Sequence, residues 1–279
     1  MRSLQVPGEY PTIQSAVDVA GVNDQILVDA GTYGESVAIG PGKDGLVIRG
    51  AGSQSILDGG SRLDIGFAIR ASGSVTIVGF AIRRYPLAGI QIDTSGNVIE
   101  AVAINAEGAR TGIIVASGTQ GNLLIDLAVA GATDAAVRLD GAGTLLVGAT
   151  IGENDQTGVQ LFGPGNRLFG NIIGLNGGDG IVVQSSGNLL VDNQIRRNQG
   201  AGVALGARVT GNVISGNRIV ANEGAGLLVE ASAAGNVVVS NQIDRNHPDI
   251  VAERPANTHN AFRANRCRSS IPPGLCHGE

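Results

Sequence analysis

The apolar and polar positions of residues 158–246 repeat four times. Gly158-Val-Gln-Leu leads to Gly165-Asn166, then Asn171 and Asn176; Gly180-Ile-Val-Val leads to Gly187-Asn188, then Asn193 and Asn198. Gly202-Val-Ala-Leu and Gly226-Leu-Leu-Val begin the same series, ending at Asn222 and Asn246. The period of 22 to 24 residues lies in the range where a repeat denotes a stacked solenoid. Each period holds three short runs with apolar residues at every second position, the signature of strands. Each run ends in Gly or Asn, which tolerate left-handed backbone at a tight turn. Three strands and three bends make one triangular coil, with each strand paired in parallel to its copy about 4.8 Å away. The pattern therefore predicts an inward apolar column of Val159, Leu161, Ile181, Val183, Val203, Leu205, Leu227 and Val229. The asparagines are expected to stack as well, with their amides bonded from coil to coil.

Coils in this register begin near Gly89, Gly112, Ala136, Gly158, Gly180, Gly202 and Gly226, with a last partial coil near Asp249. Before Gly89 the coils are less regular, with strand-like runs in 25–39, 46–60 and 67–82. Near the start, Thr12 is placed to cap a short helix whose Ile13, Ala16, Val17 and Ala20 share one face. Such a helix would cover the open end of the column, where apolar side chains and unpaired strand edges are otherwise exposed. The expected organisation is one domain over 1–279, with a cap at 5–24, coils over 25–265 and a tail over 266–279.

These repeats, the opening helix and the Ala30-Gly31-Thr32-Tyr33 segment resemble the pectate-lyase-like superfamily, nearest to its bacterial repeat members of the carbohydrate-binding and sugar-hydrolysis type. The resemblance implies an all-β, right-handed parallel β-helix. It also implies a carbohydrate-active protein working on an acidic polysaccharide by lyase, epimerase or hydrolase chemistry, and an extracellular or periplasmic location. Nothing resembling a leader follows Met1, so from the residues alone the chain is either cytoplasmic or written without its leader. Several family motifs are missing. Asn154-Asp155 and Gly178-Asp179-Gly180 are present, but there is no Gly-His-Gly and no Arg-x-Lys, and His247-Pro248-Asp249 is not the epimerase Asp-Pro-His. Lys43 is the only lysine and there is no Trp.

Composition narrows the partners. Charged residues are 15% of the chain and the net charge is −5, which speaks against a nucleic-acid partner, since that would ask for a basic stripe. No apolar run approaches the roughly 18 residues of a membrane span. Aromatics are 3%, too few for a long cleft with several sugar-stacking platforms. Cys267 and Cys276 fit a disulfide clasp on the last turn and an oxidising compartment; free thiols are the other reading. Metal binding with His259 and His277 lacks a recognised zinc spacing.

The resemblance places an active site on the outer face of the sheet made by the Gly-Ile-x-Val strands. Outward positions there include Gln91, Asp93, Ile114, Arg138, Asp140, Gln160, Phe162, Val182, Gln184, Ala204, Leu228, Glu230, Val251 and Glu253; Asp134, Asp155, Asp179, Glu223 and Asp249 precede the strands. Asp155, Asp179 and Arg138 are the candidate catalytic residues, with Asp140, Gln160, Phe162 and Gln184 as candidate substrate contacts. Two close carboxylates can divide acid and base roles, because like charges push one pKa up, and paired carboxylates are the usual glycosidase device. Clustered aspartate oxygens could instead hold calcium against a uronate, with Arg138 orienting that carboxylate. Equally, an Asp before a strand is first a turn residue, and the aliphatic members of the face suit packing against a partner or a second copy. A non-catalytic glycan- or protein-binding scaffold is therefore the second reading.

Overall fold

The computed structural model describes residues 1–70 and 73–276. His277, part of the alternative metal reading, and the end of the expected tail lie outside the described residues. The chain divides into two compact units, residues 1–144 and 145–279, and each is taken by itself.

In the first unit, strand Ser3–Val6 pairs in parallel with Gln25–Val28, which pairs with Val47–Gly50. The series continues through the front half of Thr76–Arg83 and of Val98–Asn105 to Leu123–Ile125. A second column runs from Gly31–Tyr33 through Ser55–Asp58, the back halves of the same two long strands, and Ala128–Ala130. The long strands bend where the columns meet, at Gly79 (φ 73°) and Ala101 (φ 51°). A third column stacks Val37–Ile39, Ile65–Ile69, Ala88–Ile92, Thr111–Val115 and Ala135–Leu139. Phe67 and Phe80 meet edge to face in the core, 5.2 Å between centroids.

The expected cap is helix Ile13–Val19. The Thr12 side chain accepts from Ser15 N–H while Ser15 Oγ accepts from Thr12 N–H, so two end donors are satisfied locally. The Glu35 carboxylate takes the amides of Ile13 and Gln14 at 2.9 and 2.8 Å. The sequence reading began the cap at residue 5; instead, Ser3–Val6 is already a strand of the first coil.

The second unit repeats the triangular plan. Its columns are Leu145–Val147, Arg167–Phe169, Leu189–Val191, Val213–Ser215, Val237–Val239 and Ala261–Arg263; then Thr150–Gly152, Ile172–Gly174, Gln194–Arg196, Arg218–Val220 and Gln242–Asp244; then Thr157–Leu161, Ile181–Val183, Val203–Leu205, Leu227–Val229, Ile250–Ala252 and Ser270–Ile271. The eight residues expected in the apolar column are all fully buried. The corner between the first two columns is a left-handed residue followed by Asn, as in Asp192-Asn193 (φ 55° at Asp192) and Gly216-Asn217 (φ 67° at Gly216). Each such Asn bonds onward: Asn171 Nδ2 to Asn193 Oδ1 at 2.8 Å, Asn193 Nδ2 to Asn217 Oδ1 at 2.9 Å, and Asn217 Nδ2 to Asn241 Oδ1 at 3.0 Å. Two further ladders run from Asn166 to Asn260 and from Asn154 to Asn246. Buried corners thus keep their polar groups paired, as an interior requires.

The tail adds features the sequence pattern did not contain. A short helix, Ala256–His259, interrupts the last coil, and Ser270–Ile271 adds a strand beside Ile250–Ala252. The disulfide clasp, by contrast, is the first of the two readings the sequence offered: Cys267 and Cys276 are bonded, with Cα atoms 5.2 Å apart.

Candidate functional site

The third column of each unit presents the outer face on which the candidate residues lie. In the first unit Gln91, Ile114 and Arg138 stand in one register. Each polar member is held by an acid two residues on. Gln91 Nε2 donates to both oxygens of Asp93 at 2.9 Å, and Arg138 Nε lies 2.9 and 3.0 Å from those of Asp140. Arg138 is thus tied down on its own strand, and Asp140 is its counter-ion.

In the second unit the corresponding register is Gln160, Val182, Ala204, Leu228, Val251 and Ile271. One glutamine therefore heads an aliphatic row. Phe162, 42% exposed, sits beside Gln184, whose amide N–H donates to Leu161 O. The Gln184 side chain lies over Gly206, where any Cβ would run into its amide group.

Asp155 is exposed. Asp179 is half-buried, and its Oδ1 accepts from Ala201 N–H on the next coil at 2.6 Å. That bond runs from coil to coil rather than within the local turn expected of an Asp before a strand, and it needs a glycine at 200, because a Cβ there would meet Asp179 Oδ1. Asp155 and Asp179 are not equivalent positions. Gly158 pairs with Gly180 and Asn154 with Asn176, so equal spacing sets Asp155 opposite Gly177, two residues short of Asp179. Asp249, from the same sequence set, is 2% exposed. Its Oδ1 accepts from Asn246 and its Oδ2 from the amides of Arg268 and Ser269. It is a structural acid that terminates a ladder, not part of a polar site.

Among the described residues no group of three or more His, Cys, Asp or Glu side chains gathers as a metal site. With Asp179 turned to a backbone amide and Asp155 out of register, these carboxylates do not fit a calcium site, and no step is derived through one.

Two other features went unnoticed in the sequence. Asp58, its side chain 4% exposed, receives Arg83 Nε at 2.9 Å, Arg84 Nε at 2.7 Å and Gly60 N–H at 3.0 Å, and pairs with Arg84 Nη2. The Arg84 hydrogen bonds above all, opposed by burial, bring its carboxyl to about 2 from the ordinary 3.8. Arg83, Arg84, Asn105 and Glu107 line a cleft of about 230 Å³ beside it. The adjacent Arg83-Arg84 pair was the available signal. The second feature is a set of arginines in the middle column of the second unit, also marked by an Arg-Arg dipeptide, Arg196-Arg197.

No helix among the described residues is long and apolar enough to cross a membrane. The family described as right handed beta helix region matches residues 111–266. No curated protein sequence matches the chain. Among solved structures, the A-module of the Azotobacter vinelandii mannuronan C-5 epimerase AlgE4 is similar at a TM-score of 0.66 and 17% identity, over 91% of this chain and 82% of that one. Pectate lyase Pel9A is similar at 0.62 and 16%, over 97% and 78%. The periplasmic alginate epimerase AlgG is similar at 0.58 and 13%, over 96% and 84%. At these identities the likeness is one of fold.

Proposed function

We propose, for a chain that belongs to the right-handed β-helix family, that it is a carbohydrate-active protein whose target is an acidic polysaccharide. The observation that carries this reading is the similarity over 91% of the chain to a mannuronan epimerase module. Pectate lyase Pel9A and an alginate epimerase are also among the similar structures; their named targets are uronate polymers. One fold hosts several chemistries, so the reading is of the polymer class first and of the reaction second.

For the reaction, the proposed residues of the second unit are Asp155 and Asp179, with Gln160, Phe162 and Gln184 as contacts; in the first unit they are Arg138 and its contact Asp140. Asp155 is exposed, which supports it as the group that moves a proton. Asp179 retains one oxygen beyond the one bonded to Ala201 N–H, which can accept from a sugar hydroxyl. Arg138, compensated by Asp140, would orient a uronate carboxylate. Phe162 offers an apolar face to a ring. The disulfide supports an oxidising location such as the periplasm or the exterior.

A second reading, a non-catalytic binding scaffold, is favoured by the aliphatic row of Val182, Ala204, Leu228 and Val251, a surface that a second copy of the chain could cover. The experiment that separates the two is a turnover panel of polygalacturonate, alginate, hyaluronan and chondroitin, with and without calcium. It compares wild type with the Asp155→Asn/Asp179→Asn double variant. The enzyme reading expects turnover that disappears in the variant. Turnover that persists removes these residues, and silence on every polymer removes the enzyme reading.

A further inference from the structure

Residues 145–279 carry ten arginines, no lysine and ten acidic residues, so this unit is close to neutral. Its charges are nevertheless unevenly spread. Asp155, Asp179, Glu230 and Glu253 belong to the third column and the turns beside it. On the middle column and the corner that follows it, the arginines Arg196, Arg197, Arg218, Arg245 and Arg266 outnumber the acids Glu153 and Asp244. The outward row reads Gln194, Arg218, Gln242, Arg266 from coil to coil. A second outward row places Arg196 beside Val220 and Val220 beside Asp244. Arg197 follows at the left-handed corner (φ 56°).

These arginines divide into two kinds. Arg245 and Arg268 share Asp244, at 3.6 and 3.1 Å. Arg196, Arg197 and Arg218 are exposed and make no ion pair among the described residues. The stem of Arg196 lies over the preceding coil: a Cβ on Gly174 would stand 3.2 Å from its Cγ. Val220, an outward position, is 6% exposed, so the apolar part of this face is covered while the charged heads face solvent.

We infer that this arginine- and glutamine-bearing face of the second unit is a docking surface for a uronate-bearing polysaccharide, separate from the candidate site on the third column. The inference takes its polymer class from the function proposed above and its residues from elsewhere. The chemistry selects that class. Guanidinium groups pair with carboxylates through two parallel hydrogen bonds. The glutamines between them donate to and accept from hydroxyls. Rungs about 4.8 Å apart repeat these groups along the coil axis, as a polymer repeats its own. A nucleic-acid strand would ask for aromatic platforms between the cations, and these rows contain none.

The test is the Arg196→Gln/Arg197→Gln/Arg218→Gln triple variant of the full chain. Binding to polygalacturonate, to fully methyl-esterified pectin and to single-stranded DNA is measured at low and high salt, with Tm as a folding control. Exposed charge pairs are individually weak and screened by salt. The expected result is therefore a loss of about tenfold in polygalacturonate affinity at low salt, with Tm unchanged. Methyl-esterified pectin should bind more weakly than polygalacturonate, and its binding should be indifferent to the substitutions. Polygalacturonate bound equally by wild type and triple variant overturns the inference, and so does arginine-dependent binding that prefers DNA. The Asp155→Asn/Asp179→Asn variant separates this result from the catalytic reading: if it loses turnover while keeping its affinity, the docking surface stands apart from the site. Loss of affinity in that variant alone assigns binding to the third column and sinks the inference.

Discussion

Asn246 donates both its backbone and its side-chain N–H to Oδ1 of Asp249, at 3.0 and 3.1 Å. Every earlier asparagine of that ladder gives the same two bonds to the next asparagine, as Asn222 does to Asn246. At the last coil no further asparagine exists, and a carboxylate takes its place. Its second oxygen collects the amides of Arg268 and Ser269, so Asp249 also fastens the tail.

The first prediction concerns that terminus. Asp249→Ala removes the acceptor for four N–H groups in a buried corner, and a buried donor left unpaired costs about 1 to 3 kcal/mol. A loss of about 3 kcal/mol of unfolding free energy is expected by chemical denaturation, allowing for partial rehydration. A loss below about 1 kcal/mol would mean that water replaces the carboxylate without penalty.

Acid stability should report on Asp58. Its folded pKa of about 2 lies below the ordinary 3.8, so the folded state holds this proton less tightly than the unfolded chain. The contribution is therefore complete above about pH 4 and is lost as the pH falls through about 2. Asp58→Asn lacks this titration. The stability gap between wild type and variant should be widest at neutral pH and close between about pH 4 and 2; a gap independent of pH would contradict the assignment.

The disulfide closes a loop with a sequence separation of 9. Chain-entropy arguments put such a short loop at about 2 to 3 kcal/mol. Cys267→Ser/Cys276→Ser should lower Tm, and the wild type should show no free thiol without reductant. Two titratable thiols in the untreated protein would refute the bond.

Corner strain offers a cleaner measurement. Gly170 has φ 62°, and a Cβ there would meet nothing within 4 Å. Gly170→Ala therefore tests backbone conformation alone, and a cost of about 1 to 2 kcal/mol is expected for an alanine in the left-handed region. An unchanged midpoint in urea would show that the corner relaxes.

The fold was legible because its determinants are local and repeated. Alternating Val, Leu and Ile with Gly or Asn at each bend specify strand, corner and ladder in every period, and Ile181, Val203 and Leu227 lie in the core as their spacing implies. The ends were less legible. Ser3–Val6 and Ser270–Ile271 take their strand character from neighbouring coils, a tertiary effect that four- and two-residue segments do not announce. The candidate site was the hardest part. Outward residues were identified correctly by alternation, but a one- or two-residue difference in register decides which acids meet. The 22-residue step from Gly158 to Gly180 does not bring Asp155 to Asp179: it sets Gly177 opposite Asp155. Nor could spacing foretell that Asp179 would turn to the amide of Ala201, or that Asp58 would gather Arg83 and Arg84 from another coil.

The most direct test of the central claim is equilibrium binding of the wild-type chain to an acidic and a neutral form of one polymer, polygalacturonate and its fully methyl-esterified counterpart, across a salt series. The account predicts measurable affinity for the acid form that weakens as salt rises and is markedly lower for the ester. Equal affinity for both forms, or none for either, would contradict it.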